Sequence, residues 1–274
     1  MPNDRILVFI PCFNCAPQIG RVLQQLKGEI GQRVEEVLVL DNGSNDDTLE
    51  RAIQHAANVE RGRVIVARNR ENYNLGGSHK AAYAYAEGAG FSHVATLHGD
   101  DQGTIDDLLP VLRAGDHRRF DACMGARFAK GAKLRNYSLT RILGNRAFNT
   151  IFSMAAGQKV ADMGSGLNLL SRAAFTDSRL MRLPDDLHFN PYLLLDMIGN
   201  GRTVHFFPIS WREDDQVSNV KMASQALHTL RAPLLYAFAR KRFRQRDFRR
   251  QARTEYVFDI VERFEISGPV EQAS

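Results

Sequence analysis

The chain's 274 residues are 44% hydrophobic and 24% charged, a globular composition that excludes disordered and fibrous classes and suits one large core or two unequal lobes. Its three cysteines cannot build a disulfide framework or supply four thiolates to a structural zinc. The net charge of +5 is gathered in one place: residues 231–253 hold nine Lys or Arg against one acid, Asp247, so that segment carries +8 and the remainder −3. This argues against a nucleic-acid-binding surface and for one localised anionic contact.

In chain order, residues 6–10, 37–40, 64–67 and 94–97 are short apolar runs bounded by Pro, Asn, Gly and Asp, the pattern of buried strands. Asp4 and Arg5 ahead of the first run mark it as a strand and not a signal peptide, so a cytoplasmic location is expected. Between the runs, Ile19, Val22, Leu23 and Leu26, and later Ala81, Ala82, Tyr85 and Ala86, fall at helical spacing. The repetition predicts an α/β fold with a Rossmann-like, mostly parallel sheet and helices on both faces. The second half reads as a helix over 138–156, a small-residue loop over 162–166, a helix around 192–198, a strand over 204–211 and a polar run over 212–221. The longest uncharged apolar stretch, 147–158, includes Asn149, Thr150 and Ser153 and falls short of the roughly 20 residues a membrane-spanning helix needs. The simplest partition is a catalytic domain over 1–221 and a basic, amphipathic, helical appendage over 222–274.

In parallel sheets ligands sit beyond the carboxyl ends of the strands. Those positions read Pro11-Cys12-Phe13-Asn14, Asp41-Asn42-Gly43-Ser44, residues 69–77 and His98-Gly99-Asp100-Asp101-Gln102. The first turn lacks G-x-G-x-x-G and no Walker A loop exists, so dinucleotide and P-loop readings fall away. Asp41 ends a buried strand and needs partners, which the ring or ribose donors of a nucleotide could supply; residues 42–48 also read as a plain strand-to-helix turn with caps. His98, Asp100 and Gln102 alternate, so in an extended segment all three face one side. There an imidazole, a carboxylate and an amide oxygen could share Mg²⁺ or Mn²⁺ with diphosphate oxygens. Asp101 would face the other way, toward a sugar hydroxyl or the protein. The plainer alternative is a hydrogen-bonded His–Asp pair. Cys12-x-x-Cys15 permits a redox reading that the flanking pattern makes unnecessary.

Together these segments resemble glycosyltransferase family 2, the GT-A fold of inverting nucleotide-sugar transferases, and within it the dolichyl- and polyprenyl-phosphate sugar synthases. The resemblance runs over residues 5–221. It rests on Ile10 to Asn14, Leu40 to Thr48, Asn74-Leu75-Gly76-Gly77-Ser78, His98 to Gln102, Gly125-Ala126-Arg127 and Asp162 to Leu169. It implies a nucleoside-diphosphate sugar held by Pro11, Phe13, Asn14, Asp41, Asn42, Gly76 and Asp101, with Lys80 as a weaker candidate. It also implies Mg²⁺ or Mn²⁺ on Asp100, His98 and Gln102. Residues 211–221 look like the family's closing loop, in which Arg212 and Lys221 would meet the charge on the leaving diphosphate. The sequence departs from the family pattern at Cys15, Asn42, His98 and Asn168, where Glu, Asp, Asp and Arg are usual.

A hydroxyl acceptor needs a general base, and Asn190 stands where the resemblance places that acid. A lipid phosphate is already anionic and needs only cationic positioning. Arg141, Asn145 and Asn149 recur at i, i+4, i+8 and Arg127 ends a strand, a plausible phosphate cradle. Asp185, Asp186 and Asp196 leave open a hydroxyl acceptor, a saccharide or glycolipid of the cell envelope; a non-catalytic nucleotide-sugar-binding protein is the rival from another class. Leu230, Leu234, Leu235, Phe238, Phe243 and Phe248 interleave with the basic cluster as in an interfacial helix, so 231–253 is expected to lie on the anionic inner face of a membrane.

Overall fold

The structure, a computed structural model, describes residues 4–57, 59–60, 62–214 and 222–266, with the backbone alone over 222–227. The four apolar runs of the first half are β1 (Ile6–Cys12), β2 (Glu36–Asp41), β3 (Gly62–Asn69) and β4 (His93–Leu97). Every residue of β1 and β2 is buried, as in strands covered on both faces. Alternation sends Leu7 and Phe9 to one face, into a cluster with Tyr83, Phe91, Phe152 and Phe189. It sends Ile6, Val8 and Ile10 to the other, with Ile19, Val22, Leu23 and Leu108.

Six further strands follow: β5 (Ala122–Ala126), β6 (Lys133–Arg135), β7 (Leu167–Ser171), β8 (Val204–Pro208), β9 (Ser210–Arg212) and β10 (Phe258–Ile266). Eight strands form one sheet in the order β10-β3-β2-β1-β4-β7-β5-β8, while β6 and β9 form a small parallel pair. β7 runs antiparallel to β4 and β5, and β10 antiparallel to β3; the other six strands of the large sheet are parallel. The strand order reverses between β1 and β4, the topology that opens a crevice above their carboxyl ends.

Two expectations change. The strand expected over 204–211 breaks at Ile209, so β8 joins the large sheet and β9 the small one, where Trp211 pairs with Leu134 and bridges Gly103. The stretch after 221 is neither wholly helical nor detached. It forms the helix Met222–Phe238, which contains Pro233, then the helix Arg240–Gln245, then β10, which closes the open edge of β3. Ala232, Tyr236, Phe243 and Tyr256 are buried in the core, so burial of its aromatic residues holds this segment against the rest of the fold. The helix Leu139–Ala156 forms as expected: the Ser138 hydroxyl accepts from the Arg141 N–H at 3.2 Å, and Gly157 ends it in a left-handed conformation. Among the described residues no helix is long and apolar enough to cross a membrane.

Candidate active site

The loops after β1 and β2 are fastened to each other before any ligand arrives. Asn14, at φ 51°, donates its N–H to Ser44 Oγ at 2.9 Å and accepts the Asn45 N–H at 2.9 Å; Asn tolerates this left-handed geometry. Asp46 accepts the Thr48 N–H at the start of the helix Thr48–Ala56, as expected, and Asp46 and Thr48 also accept the N–H groups of Ala16 and Cys15 and so cap the helix Ala16–Gln24.

Asp41 finds its partners within the protein: the Ser44 N–H and hydroxyl, and the Arg68 guanidinium at 3.3 Å. Asn42 ties β2 to the loop after β3, donating to Asn72 at 2.8 Å and accepting from Asn69 and the Tyr73 N–H at 2.9 Å each. Of the two, Asn42 lines the hollow that opens here.

That hollow has a volume of about 320 Å³ and is walled by Pro11, Phe13, Asn42, Asn74, His98 and Asp100, among others. Burial pushes the Asp100 carboxyl up to about 6. Burial, and then the Arg127 charge, push the His98 imidazole down to about 4. Each shift disfavours the charged form in a low dielectric. His98 is therefore neutral at pH 7, and its buried Nε2 has no hydrogen-bond partner among the described residues. An unsatisfied imidazole lone pair and a carboxylate in the lining of one hollow suit a divalent cation. Among the described residues no three His, Cys, Asp or Glu side chains are grouped so as to hold a metal ion, so an ion here would need oxygens from outside the protein to complete its shell.

The alternation expected from His98 to Gln102 does not survive. Asp101 adopts φ 58° and the Gln102 N–H folds back onto Asp100 Oδ1 at 3.2 Å, so the segment is a turn and Gln102 is not among the residues lining the hollow. Asp101, 1% exposed, points into the protein, where Arg21 at 2.7 Å, Gln25 at 3.0 Å and Arg212 hold it.

The expected cations are likewise engaged. Arg127 is clamped by Asp162 through two side-chain bonds of 2.8 Å and lies 5.2 Å over Trp211; Arg141 pairs with Glu213; Arg212 grips Asp101 through its carboxylate and its carbonyl. Asn145 and Asn149 bond Tyr137 and the Ala161 carbonyl. Three arginines thus cluster around β9 with one carboxylate each. Lys80 lies outside the hollow: its side chain is fully buried, 2.6 Å from both Asp185 and the Leu183 carbonyl. Lys221 and the loop over 215–221 lie outside the described residues.

Gly76 is a packing position and does not line the hollow. A Cβ there would stand 2.4 Å from the Pro184 carbonyl oxygen and 2.8 Å from Phe189 Cβ. Gly76→Ala is expected to destabilise by about 1–3 kcal/mol in urea unfolding while leaving donor KM unchanged; a KM effect without loss of stability would reverse this assignment. The three acids kept as candidate bases are also occupied: Asp185 by Lys80 and Tyr256, Asp186 by His188, Asp196 by Arg179. Sequence reasoning passed over Leu187, which lines the hollow and stands next to no strand end of the first half, the signal used to find the others; Asp162 was placed in a matching loop, but its pairing with Arg127 was not foreseen.

Residues 7–178 match the family described as glycosyl transferase family 2. The polyprenol monophosphomannose synthase of Mycolicibacterium smegmatis is 25% identical over 77% of this chain and 79% of its own. A UDP-N-acetylglucosamine–dolichyl-phosphate N-acetylglucosaminyltransferase of Methanococcus voltae is 23% identical over 64% of this chain and 72% of its own. Glucosyl-3-phosphoglycerate synthase from Mycobacterium tuberculosis, solved with Mn²⁺, UDP and its product, superposes with a TM-score of 0.60 at 18% identity, over 85% of this chain and 80% of that one. That likeness establishes the GT-A fold.

Proposed function

Because the chain belongs to glycosyltransferase family 2, we propose that it moves a sugar, with inversion, from a nucleoside-diphosphate sugar to a polyprenyl phosphate. The observation that carries this is the hollow above β1 and β4, where Pro11, Phe13, Asn14, Asp41 and Asn42 form or brace one side and His98 and Asp100 the other. The donor lies there with its base toward Asn42 and Asn74 and its diphosphate toward Asp100. Asp100 and His98 would hold a divalent cation, which would supply charge neutralisation to the diphosphate; Mn²⁺ and UDP in the glucosyl-3-phosphoglycerate synthase complex support this.

An acceptor phosphate oxygen attacks the anomeric carbon from the face opposite the diphosphate; that C–O bond forms as the bond to the diphosphate breaks. No proton is removed, in keeping with candidate bases that already hold partners. Arg127, Arg141 and Arg212 meet the phosphates of acceptor and leaving group by exchanging a carboxylate for a phosphate; the same role is proposed for Lys221, which lies outside the described residues. The polyprenol and dolichyl substrates in the relatives' names support this acceptor. Leu234 and Phe238, 53% and 86% exposed, stand beside Arg240, Lys241, Arg242 and Arg244, which supports peripheral contact with the inner face of a membrane at about 1 kcal/mol per cation.

Incubation with UDP- and GDP-sugars, Mn²⁺ and either undecaprenyl phosphate or oligosaccharides tests the proposal. The expected product is a glycosyl phospholipid whose formation falls at least about tenfold in EDTA; transfer to oligosaccharide alone would overturn it.

A further inference from the structure

A second cavity, about 710 Å³, lies between the start of the helix Phe189–Gly199, one face of the helix Met222–Phe238 and the segment 246–253. Asn74 lines both this cavity and the donor hollow, but Leu187 faces the hollow while Asp186 and His188 face the cavity, so the turn 184–188 is the wall between them.

Five arginines line it against Asp185, Asp186 and Asp247. Arg249 is held by Asp247 at 2.6 Å, and Arg253 by Glu71 at 3.1 Å and Asp185 at 3.4 Å. Arg250 reaches Asp186 only at 3.4 Å and its side chain is 87% exposed. Arg231 and Arg246 have no carboxylate partner among the described residues. Arg246 rests 5.6 Å over the Phe248 ring, and Phe248 is pinned by its N–H to the Arg182 carbonyl at 2.7 Å and by Tyr192 at 4.7 Å, edge to face. On the opposite wall His188 Nδ1 lies 2.8 Å from Asp186, and its Nε2 is buried with no hydrogen-bond partner among the described residues. Native structures rarely leave such an atom unsatisfied. Unpaired guanidinium groups, an orphaned imidazole nitrogen and an apolar flank at Leu234 and Leu235 match an anionic oxygen cluster carried on a larger molecule.

We infer that this cavity is a binding site for a phosphate monoester, separate from the donor hollow. Arg231 and Arg246 hold its oxygens, Arg250 turns from Asp186 to a third, and His188 Nε2 accepts from a phosphate hydroxyl. The carrier is either a lipid, its chain leaving along Leu234 toward Phe238, or a soluble phosphate. The site stands whether or not the transfer acceptor is a lipid phosphate.

The full-length protein is titrated calorimetrically with inorganic phosphate, and by sedimentation with phosphatidylcholine vesicles with and without undecaprenyl phosphate. Arg231→Gln with Arg246→Gln is compared with the charge-matched Lys27→Gln with Arg51→Gln, both exposed and outside the cavity; UDP affinity with Mn²⁺ reports folding of each. The cavity variant is expected to bind at least about tenfold more weakly and the control like the native protein. Binding of the vesicles alone assigns the site to a lipid headgroup, and binding of inorganic phosphate as well assigns it to the phosphate group itself. The inference is overturned if the native protein binds neither phosphate nor the phosphate-bearing vesicles above plain ones, if the cavity variant binds undiminished, or if the control loses as much. Phosphate binding without transfer to undecaprenyl phosphate would remove the proposed acceptor and leave this site.

Discussion

Asp100→Asn is expected to abolish sugar transfer and, in the metal-free protein, to raise stability at pH 7. The carboxyl lies in the hollow with its ionisation pushed up to about 6 from the ordinary 3.8 by burial. The folded protein therefore binds this proton more tightly than the unfolded chain. Between pH 4 and pH 6 the folded state holds more protons, so the contribution of Asp100 to stability falls as pH rises through that window and stays low above it. Asparagine mimics the protonated carboxyl and removes the penalty, a gain of about 3 kcal/mol at pH 7 from a shift of roughly two units. The gain should vanish near pH 4, where the carboxyl is protonated in both states. Turnover should fall by roughly three orders of magnitude, the loss expected of the principal ligand in the proposed cation site. Urea unfolding at pH 4 and pH 7, paired with turnover in Mn²⁺, checks both halves. A variant no more stable than the native protein at pH 7, or one retaining a tenth of its activity, would remove Asp100 from the role assigned to it.

Lys80→Met is expected to do the reverse, damaging the fold and sparing the donor site. Burial pulls the Lys80 ammonium down to about 8, against the opposing attraction of Asp185. The ammonium bonds Asp185, the Leu183 carbonyl and, at 3.3 Å, Tyr256. Removing it leaves a carboxylate 8% exposed with, among the described residues, only Tyr256 and a 3.4 Å contact to Arg253. Losing one partner of a buried pair costs about 3–5 kcal/mol, and the remaining bonds favour the lower figure. UDP affinity of the folded variant should equal that of the native protein. Weakened UDP binding at unchanged stability would restore Lys80 to the nucleotide site.

Much of the lining of the hollow above β1 and β4 was legible from residue order. Pro11, Phe13, Asn42, Asn74, His98 and Asp100 all follow apolar runs, and a parallel sheet brings the carboxyl ends of neighbouring strands to one edge. What failed was the geometry of short segments. The alternation from His98 to Gln102 assumed an extended chain, but Asp101 turns left-handed, held by Arg21, Gln25 and Arg212 from distant elements. β10 failed for a related reason. Its phenylalanines and charges read as part of a basic tail, and only the open edge of β3, almost two hundred residues upstream, turns FDIVERFEI into a strand.

By itself, then, the sequence determined which runs of the first half are strands and which loops lie beyond their carboxyl ends, because buried runs and the turns that end them are local patterns; their order in the sheet was decided by the tertiary structure. Which charges stand ready for a ligand was decided only by the tertiary structure. Lys80, Arg127, Arg141, Arg212 and Arg231 are interchangeable cations on the page of the sequence. Asp185, Asp162, Glu213 and Asp101 occupy the first four, while Arg231 meets no carboxylate among the described residues. The strength of a charge pair depends on separation in space and on exclusion of water, and neither can be read from separation along the chain.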